Sequence, residues 1–266
     1  MRALPAVSDA QRASWEQDGF FRIDGFADPE VGARMEAQVV ELARAAAVDD
    51  DVDGALVLPE QQADMADIAA PEDRLSKIFL LARRPAFHGF VTDPRLTAIV
   101  AELIGTDDLD CFLSQFIFKN PGAWGQPWHQ DSYYFPFDPP RPVVGVWLAV
   151  TEATLDNGCL HVLPGSHREP VHEHVPDRRE GANYGYVEIV DHDMVASEPV
   201  LMSPGDLLVF DSHLMHCSTD NRSPGRRAAM VFHLAAAGTV DRTVELRGYT
   251  VNDWMPARRS TERVAS

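Results

Sequence analysis

The chain is expected to be mainly β, a sandwich or barrel backed by helices, and three observations predict this. From about residue 109 onward, short β-branched or aromatic runs are separated by Pro, Gly, Asn and Asp punctuation such as NPG, DNG and SPGD. Ahead of them, the first hundred residues carry stretches of helical periodicity with recognisable start signals. With 266 residues, 45% apolar and 24% charged, the chain is long enough for a sizeable core and lacks the composition of a disordered one. No repeat of fixed period and no Gly/Ser-rich linker interrupts it. A single domain over 1–266 is therefore expected, with 1–108 mostly helical support and 109–250 the β core.

Taken in order, Ser8 is placed to cap a helix running to about Asp18, and GFFRIDGF (19–26) reads as a strand. Asp28-Pro29-Glu30 opens the next helix with a capping carboxylate, a proline where the missing N–H costs nothing, and an acid facing the helix dipole. Met35, Val39, Leu42 and Ala46 share one face of that helix. The acidic, aperiodic stretch 48–75 reads as a long loop or lid. Another helix, 93–105, is opened by Asp93-Pro94 and closed by Gly105. The β half then follows as DCFLSQFIFKN, PVVGVWLAV, GCLHVLPG, YVEIV, PVLMSPGDLLVF and RAAMVFHLA, with a polar insert at 170–199 that reads as a second lid.

Charge limits the partners. With 41 acidic against 23 basic residues the formal net charge is −18, which argues against nucleic acid or anionic lipid, since both need clustered cations. Lys77 and Lys119 are the only lysines. Cys111, Cys159 and Cys217 show no CxxC or CxH pairing, so neither a disulfide framework nor a thiolate zinc site is implied. The N-terminus has no apolar signal region and no window reaches 18 consecutive apolar residues, so a cytoplasmic protein, monomer or homodimer, is expected.

Trp128-His129-Gln130-Asp131 is the first chemically sharp feature. On a strand, His129 and Asp131 would point to the same face, two-thirds of a 2-His-1-carboxylate metal triad. A buried His–Asp hydrogen bond or a surface pair is the plainer reading of those two residues. The best third ligand is His216, at the end of GDLLVFDSHLMH, followed by Ser218 and then by a run opening with Arg226-Arg227. A strand ending in His beside a strand beginning with Arg would set imidazole and guanidinium in one cavity. There Arg can pair bidentately with the carboxylate of a metal-chelating co-substrate. His213 reads as a packing residue or one supporting the ligands, His172-Glu173-His174 as a solvated loop in preference to a metal-binding group, and His161, His167 and His233 as structural.

The ordered set WHQDSYYFPFDPP, GVWLAV, DNGCLHVLPGSH and PGDLLVFDSHLMHCSTDNRSPGRRAAMVFHL resembles the phytanoyl-CoA dioxygenase family of Fe(II)/2-oxoglutarate oxygenases. The resemblance implies a double-stranded β-helix, or jelly roll, with N-terminal helices packed on it. It implies His129, Asp131 and His216 as iron ligands, with Arg227, eleven after His216, and Ser218 as anchors of the far carboxylate of 2-oxoglutarate. Trp147 matches a tryptophan lining the co-substrate site, Lys77 a lysine contributed from ahead of the barrel, and Gln115 a residue touching 2-oxoglutarate. Tyr133 and Phe135 would continue the inward parity of His129 and Asp131 as walls of a substrate pocket. The implied reaction couples O2 and 2-oxoglutarate to oxidation, most simply hydroxylation, of a small metabolite or natural-product intermediate, releasing succinate and CO2. Related halogenases carry a small residue at the carboxylate position, so Asp131 favours oxygen transfer. The alternative is a non-catalytic jelly-roll binding protein with a vestigial metal site.

Overall fold

The computed structural model describes residues 5–48, 54–62, 68–140 and 142–260. Its helices are α1 (Asp9–Asp18), α2 (Pro29–Ala46), α3 (Pro85–Val91), α4 (Pro94–Ile104) and α5 (Thr243–Arg247). In chain order the strands are β1 (Phe20–Ile23), β2 (Leu56–Pro59), β3 (Leu75–Phe79), β4 (Leu109–Lys119), β5 (Phe137–Asp138), β6 (Val143–Ala149) and β7 (Leu160–Val162). They continue as β8 (His174–Pro176), β9 (Val187–Ile189), β10 (Glu198–Val200), β11 (Leu207–Asp211), β12 (His216–Ser218), β13 (Arg227–Ala236), β14 (Val240–Asp241) and β15 (Met255–Arg258).

Local chemistry sets the helix boundaries as expected. Ser8 accepts from the Gln11 N–H while the Gln11 side chain accepts from the Ser8 N–H, a complete capping box on α1. Asp28 and Asp93 cap α2 and α4, each followed by proline at the first helical position. Met35, Val39 and Leu42 are buried, and Ala46 packs at the margin of the same core.

The large sheet runs β1-β11-β6-β13-β4-β3-β2, with β15 also paired to β4, and faces a smaller sheet β10-β7-β12. This is the jelly-roll arrangement, closed by sheet facing sheet. Strand alternation divides the large sheet between two environments. Val144, Val146, Leu148, Met230 and Phe232 face α2, α3 and α4 in the main core, whereas Trp147, Ala149, Ala229 and Val231 face the small sheet. Gly145 is required here, because a Cβ at that position would lie 2.3 Å from the Phe210 ring on β11.

Two expectations need correction. The segment 48–75 is not simply a loop: among its described residues, β2 extends the large sheet by pairing with β3, and Lys77 on β3 stands opposite Ile117 on β4. LSKIF is a short strand with Leu75 and Ile78 buried, a pattern too brief to register amid acidic neighbours. Residues 49–53 and 63–67 of the same stretch lie outside the described residues. PVLMSPGDLLVF, read as one run, breaks at its SPGD turn into β10 and β11, which belong to different sheets. Helix α3 lies within the region expected to be mostly helical, although no start signal is assigned to it there; Pro85 starts it and Phe87, Phe90 and Val91 bury its apolar side.

Candidate metal centre and its cavity

His129 and His216 are brought together by backbone pairing. His129 N–H donates to the His216 carbonyl at 2.9 Å and His216 N–H to the His129 carbonyl at 3.0 Å, so the two residues stand directly opposite and their rings lie 4.2 Å apart. Each ring donates from Nδ1 to a backbone carbonyl, His129 to Pro127 at 2.8 Å and His216 to Leu214 at 3.0 Å. In the neutral rings Nε2 therefore carries the lone pair, the state a metal needs. Asp131 Oδ1 lies 3.5 Å from His129 Nε2 and 3.8 Å from His216 Nε2. Ligand atoms of all three residues fall within 4.8 Å of one another, and all three are buried. Such a donor set, one carboxylate oxygen and two bare imidazole nitrogens, fits a divalent iron.

The surroundings hold His216 and Asp131 in their binding states. Burial lowers His216 to about 4, keeping it neutral at ordinary pH. Burial alone would raise the Asp131 carboxyl, yet the imidazoles of His216, His233 and His129 hold it well below its usual range. His233 was read as structural, but its Nε2 donates to Asp131 Oδ2 at 2.7 Å, leaving Oδ1 toward the other histidines. Gln130, fully buried between the two ligand positions, donates its side-chain amide to the carbonyls of Pro170 (3.1 Å) and His213 (2.9 Å). Its backbone N–H donates to His174 Nε2 at 3.0 Å. This fixes the loop rigidly.

A cavity of about 440 Å³ opens onto the triad. Arg227, 2% exposed, lies in its wall and donates once, from Nη2 to the Gly158 carbonyl at 3.0 Å; its Nε and Nη1 have no protein partner. The indole Nε1 of Trp147, whose ring lies 5.6 Å from the guanidinium carbon, is also unpartnered. Lys119, the second of the two lysines, donates to Ser218 Oγ at 2.8 Å and to the Thr219 carbonyl at 2.5 Å. Burial pushes Arg227 down to about 10 and Lys119 well below its ordinary value, the latter helped by the charge of Arg227. Buried cations without a carboxylate partner among the described residues are costly unless an anion joins them. Lys77 donates to Gln126 Oε1 at 2.9 Å, and the Gln126 amide nitrogen lies 3.0 Å from His129 Nε2. Gln115 lines the same cavity.

Of the two aromatic residues expected on the substrate side, Phe135 lines the cavity and Tyr133 does not. Residues Asp131–Tyr134 form a 3₁₀ turn instead of continuing a strand, so the two-residue alternation fails after Asp131. Tyr133 instead stacks on His174 at 4.3 Å, and its neighbour Tyr134 takes the place in the wall. The expected lid 170–199 contributes Tyr184, Gly185 and Tyr186 to the cavity, from the turn between β8 and β9. Arg226 points the other way, to Asp73 at 3.0 Å and Asn120 at 2.6 Å. No helix of the described residues is long and apolar enough to cross a membrane.

Comparison with known proteins agrees with this architecture. A Caenorhabditis elegans protein described as a probable phytanoyl-CoA dioxygenase is 34% identical over 194 residues, covering 66% of this chain and 62% of that one. The chain thus spans about three-fifths of the length of that relative. Among solved structures, EctD from S. alaskensis with bound Fe superimposes with a TM-score of 0.67 at 22% identity, covering 89% of this chain and 79% of that one. The epimerase SnoN, in complex with Fe3+, alpha ketoglutarate and nogalamycin RO, gives 0.64 at 18% identity, covering 88% and 85%. The family model for phytanoyl-CoA dioxygenase (PhyH) matches residues 15–229, most of the chain, which therefore belongs to the phytanoyl-CoA dioxygenase family.

Proposed function

We propose that the protein is an Fe(II)/2-oxoglutarate-dependent oxygenase. It oxidises, by hydroxylation, a small-molecule metabolite or natural-product intermediate and releases succinate and CO2. One observation carries this reading: a buried arginine with two unpartnered nitrogens shares a cavity with Asp131 and two histidines that each donate from Nδ1 to the backbone and turn Nε2 toward the carboxylate. A vestigial site would have little reason to keep those donors unsatisfied. The iron and 2-oxoglutarate recorded with SnoN and the iron with EctD support the same assignment.

In this reading His129, Asp131 and His216 hold the iron. Iron held there would be chelated by the 2-oxo acid end of the co-substrate and would supply the activation of O2 for oxidation of a C–H bond. Arg227 takes the far carboxylate through its free Nε and Nη1. Ser218 Oγ already accepts from Lys119 and from the Gln126 N–H at 3.1 Å, so its own proton is free to donate to that carboxylate. The Trp147 indole N–H is a further donor, and Gln115 and Lys77 border the same space. The Gln126 amide nitrogen, 3.0 Å from His129 Nε2, would have to leave that contact for His129 to hold a metal. Phe135, Tyr134, Tyr186 and Phe79 form an apolar approach that orients the substrate and excludes water. A cavity of about 440 Å³ that must also hold 2-oxoglutarate admits only a metabolite-sized reacting portion. Neither nucleic acid nor membrane is a partner in this account.

Titration of the metal-free protein with Fe(II) and 2-oxoglutarate under anaerobic conditions tests the assignment. A weak visible charge-transfer band is expected, lost in both Asp131→Ala and His216→Ala. Persistence of the band in both variants would refute the triad. Succinate release across a substrate library then identifies the oxidised compound.

A further inference from the structure

A second cluster of ligand-type side chains lies at the base of the β8–β9 hairpin, outside the cavity. His172 precedes β8, His192 follows β9, and Glu169 comes from the preceding turn. Glu169 Oε2 is 2.8 Å from His172 Nε2 and 3.1 Å from His192 Nε2, and the three donor atoms lie within 4.8 Å of one another. All three side chains are partly buried, the carboxylate 39% exposed and the rings 24% and 20%.

The protons make this arrangement informative. His192 Nδ1 donates to the Asp193 carbonyl at 3.0 Å, which uses the one N–H of a neutral ring. Its Nε2 lone pair then faces a carboxylate oxygen that is itself an acceptor. Two acceptors 3.1 Å apart need a cation between them, supplied by a second proton on the ring or by a metal ion. We propose that Glu169, His172 and His192 bind a divalent transition metal of the Zn(II), Co(II) or Ni(II) class at a site separate from the His129–Asp131–His216 triad. Two imidazoles and one carboxylate suit those ions, and three protein ligands leave room for water, so the metal is exchangeable.

The position gives such a metal a structural consequence. It ties the strand entering the hairpin to the strand leaving it, and the turn between them carries Tyr184 and Tyr186 into the cavity wall. His172 N–H also donates to Gln130 Oε1 at 2.8 Å, so the clip is one hydrogen bond from the loop bearing His129 and Asp131. The inference does not depend on the oxygenase reading.

Protein stripped with a chelator and dialysed against Co(II) provides the test, with bound metal counted by elemental analysis. The wild type is expected to bind two equivalents. His216→Ala should keep the hairpin equivalent, while His192→Gln and Glu169→Gln should each keep only the triad equivalent. Both of the latter positions are partly exposed, and a melting curve shows whether the variants fold. Slower hydrogen exchange over 172–192 on adding Co(II), in wild type but not in His192→Gln, is also expected. A second equivalent that persists in both His192→Gln and Glu169→Gln overturns the proposal. So does a wild type whose single equivalent vanishes in His216→Ala, or one that binds none. A single equivalent that survives His216→Ala and is lost in His192→Gln supports the hairpin site and counts against the triad.

Discussion

Arg226 and Arg227 are consecutive at the start of β13, yet one belongs to the outer face of the large sheet and the other to the inner. Arg226 is met by Asp73, Asn120 and, at 3.6 Å, Glu36, with its guanidinium over the Phe118 ring at 4.3 Å. Arg227 is more deeply buried and has one carbonyl partner. The outer charge is balanced by the protein itself; the inner one is left for something else to balance. The same contrast holds against the whole molecule. A formal charge of −18 describes the exterior, whereas the cavity gathers Arg227 and both lysines of the chain. Unsatisfied donors, not total charge, mark where an anion is expected.

The largest expected effect tests that contrast directly. Arg227→Ala should weaken 2-oxoglutarate binding by roughly 2–5 kcal/mol, the range for truncating one partner of a buried charge pair. Arg226→Ala should leave the affinity within about twofold and instead cost roughly 0.2–1 kcal/mol of stability, as for a partly exposed ion pair. Anaerobic calorimetry with 2-oxoglutarate and a melt of each variant measure both. Equal losses of affinity in the two variants would break the distinction between the faces.

A smaller effect concerns the metal side of the inner face. Asp131 is held by His233, and removing such a supporting partner typically lowers metal affinity about 10–100-fold. His233→Ala should show that loss in an Fe(II) competition titration while retaining stoichiometric binding at high metal. Unchanged affinity would make His233 a packing residue, as the sequence first implied.

How much was legible in the chain follows from how far each residue's neighbours in sequence determine its neighbours in space. The helix caps at Ser8, Asp28 and Asp93 are local and were read correctly. His129, Asp131, His216 and Arg227 were legible because their spacing and strand ends carry a known pattern, and the structure brings all four into one cavity. His233 and Lys119 were missed although a signal existed. His233 keeps the strand parity of Arg227 on β13, and Lys119 keeps that of Gln115 on β4. Tyr133 was misplaced because a 3₁₀ turn, which no alternation rule foresees, begins at Asp131. The pairing of β2 and β3 with β4 is long-range, and a five-residue strand carries too little pattern to declare it.

The smallest expected effect is a pH dependence from His174, which supports the ligand loop from behind. Its Nε2 accepts the Gln130 N–H and its Nδ1 donates to the His172 carbonyl at 2.8 Å, so the fold uses the neutral ring. Burial lowers it from the ordinary value of 6.5 to about 4. Between those values the unfolded chain binds a proton that the folded chain refuses, so this group's stabilisation is complete above about pH 6.5 and fades as pH falls toward 4. Denaturant titrations of the metal-free protein should therefore show stability falling over that interval, with His216, lowered for the same reason, adding to the slope. His174→Gln supplies a carbonyl oxygen to accept the same N–H and has no proton to gain. Its profile should be flatter than that of the wild type by one group's share, and a slope identical to wild type would remove His174 from the account.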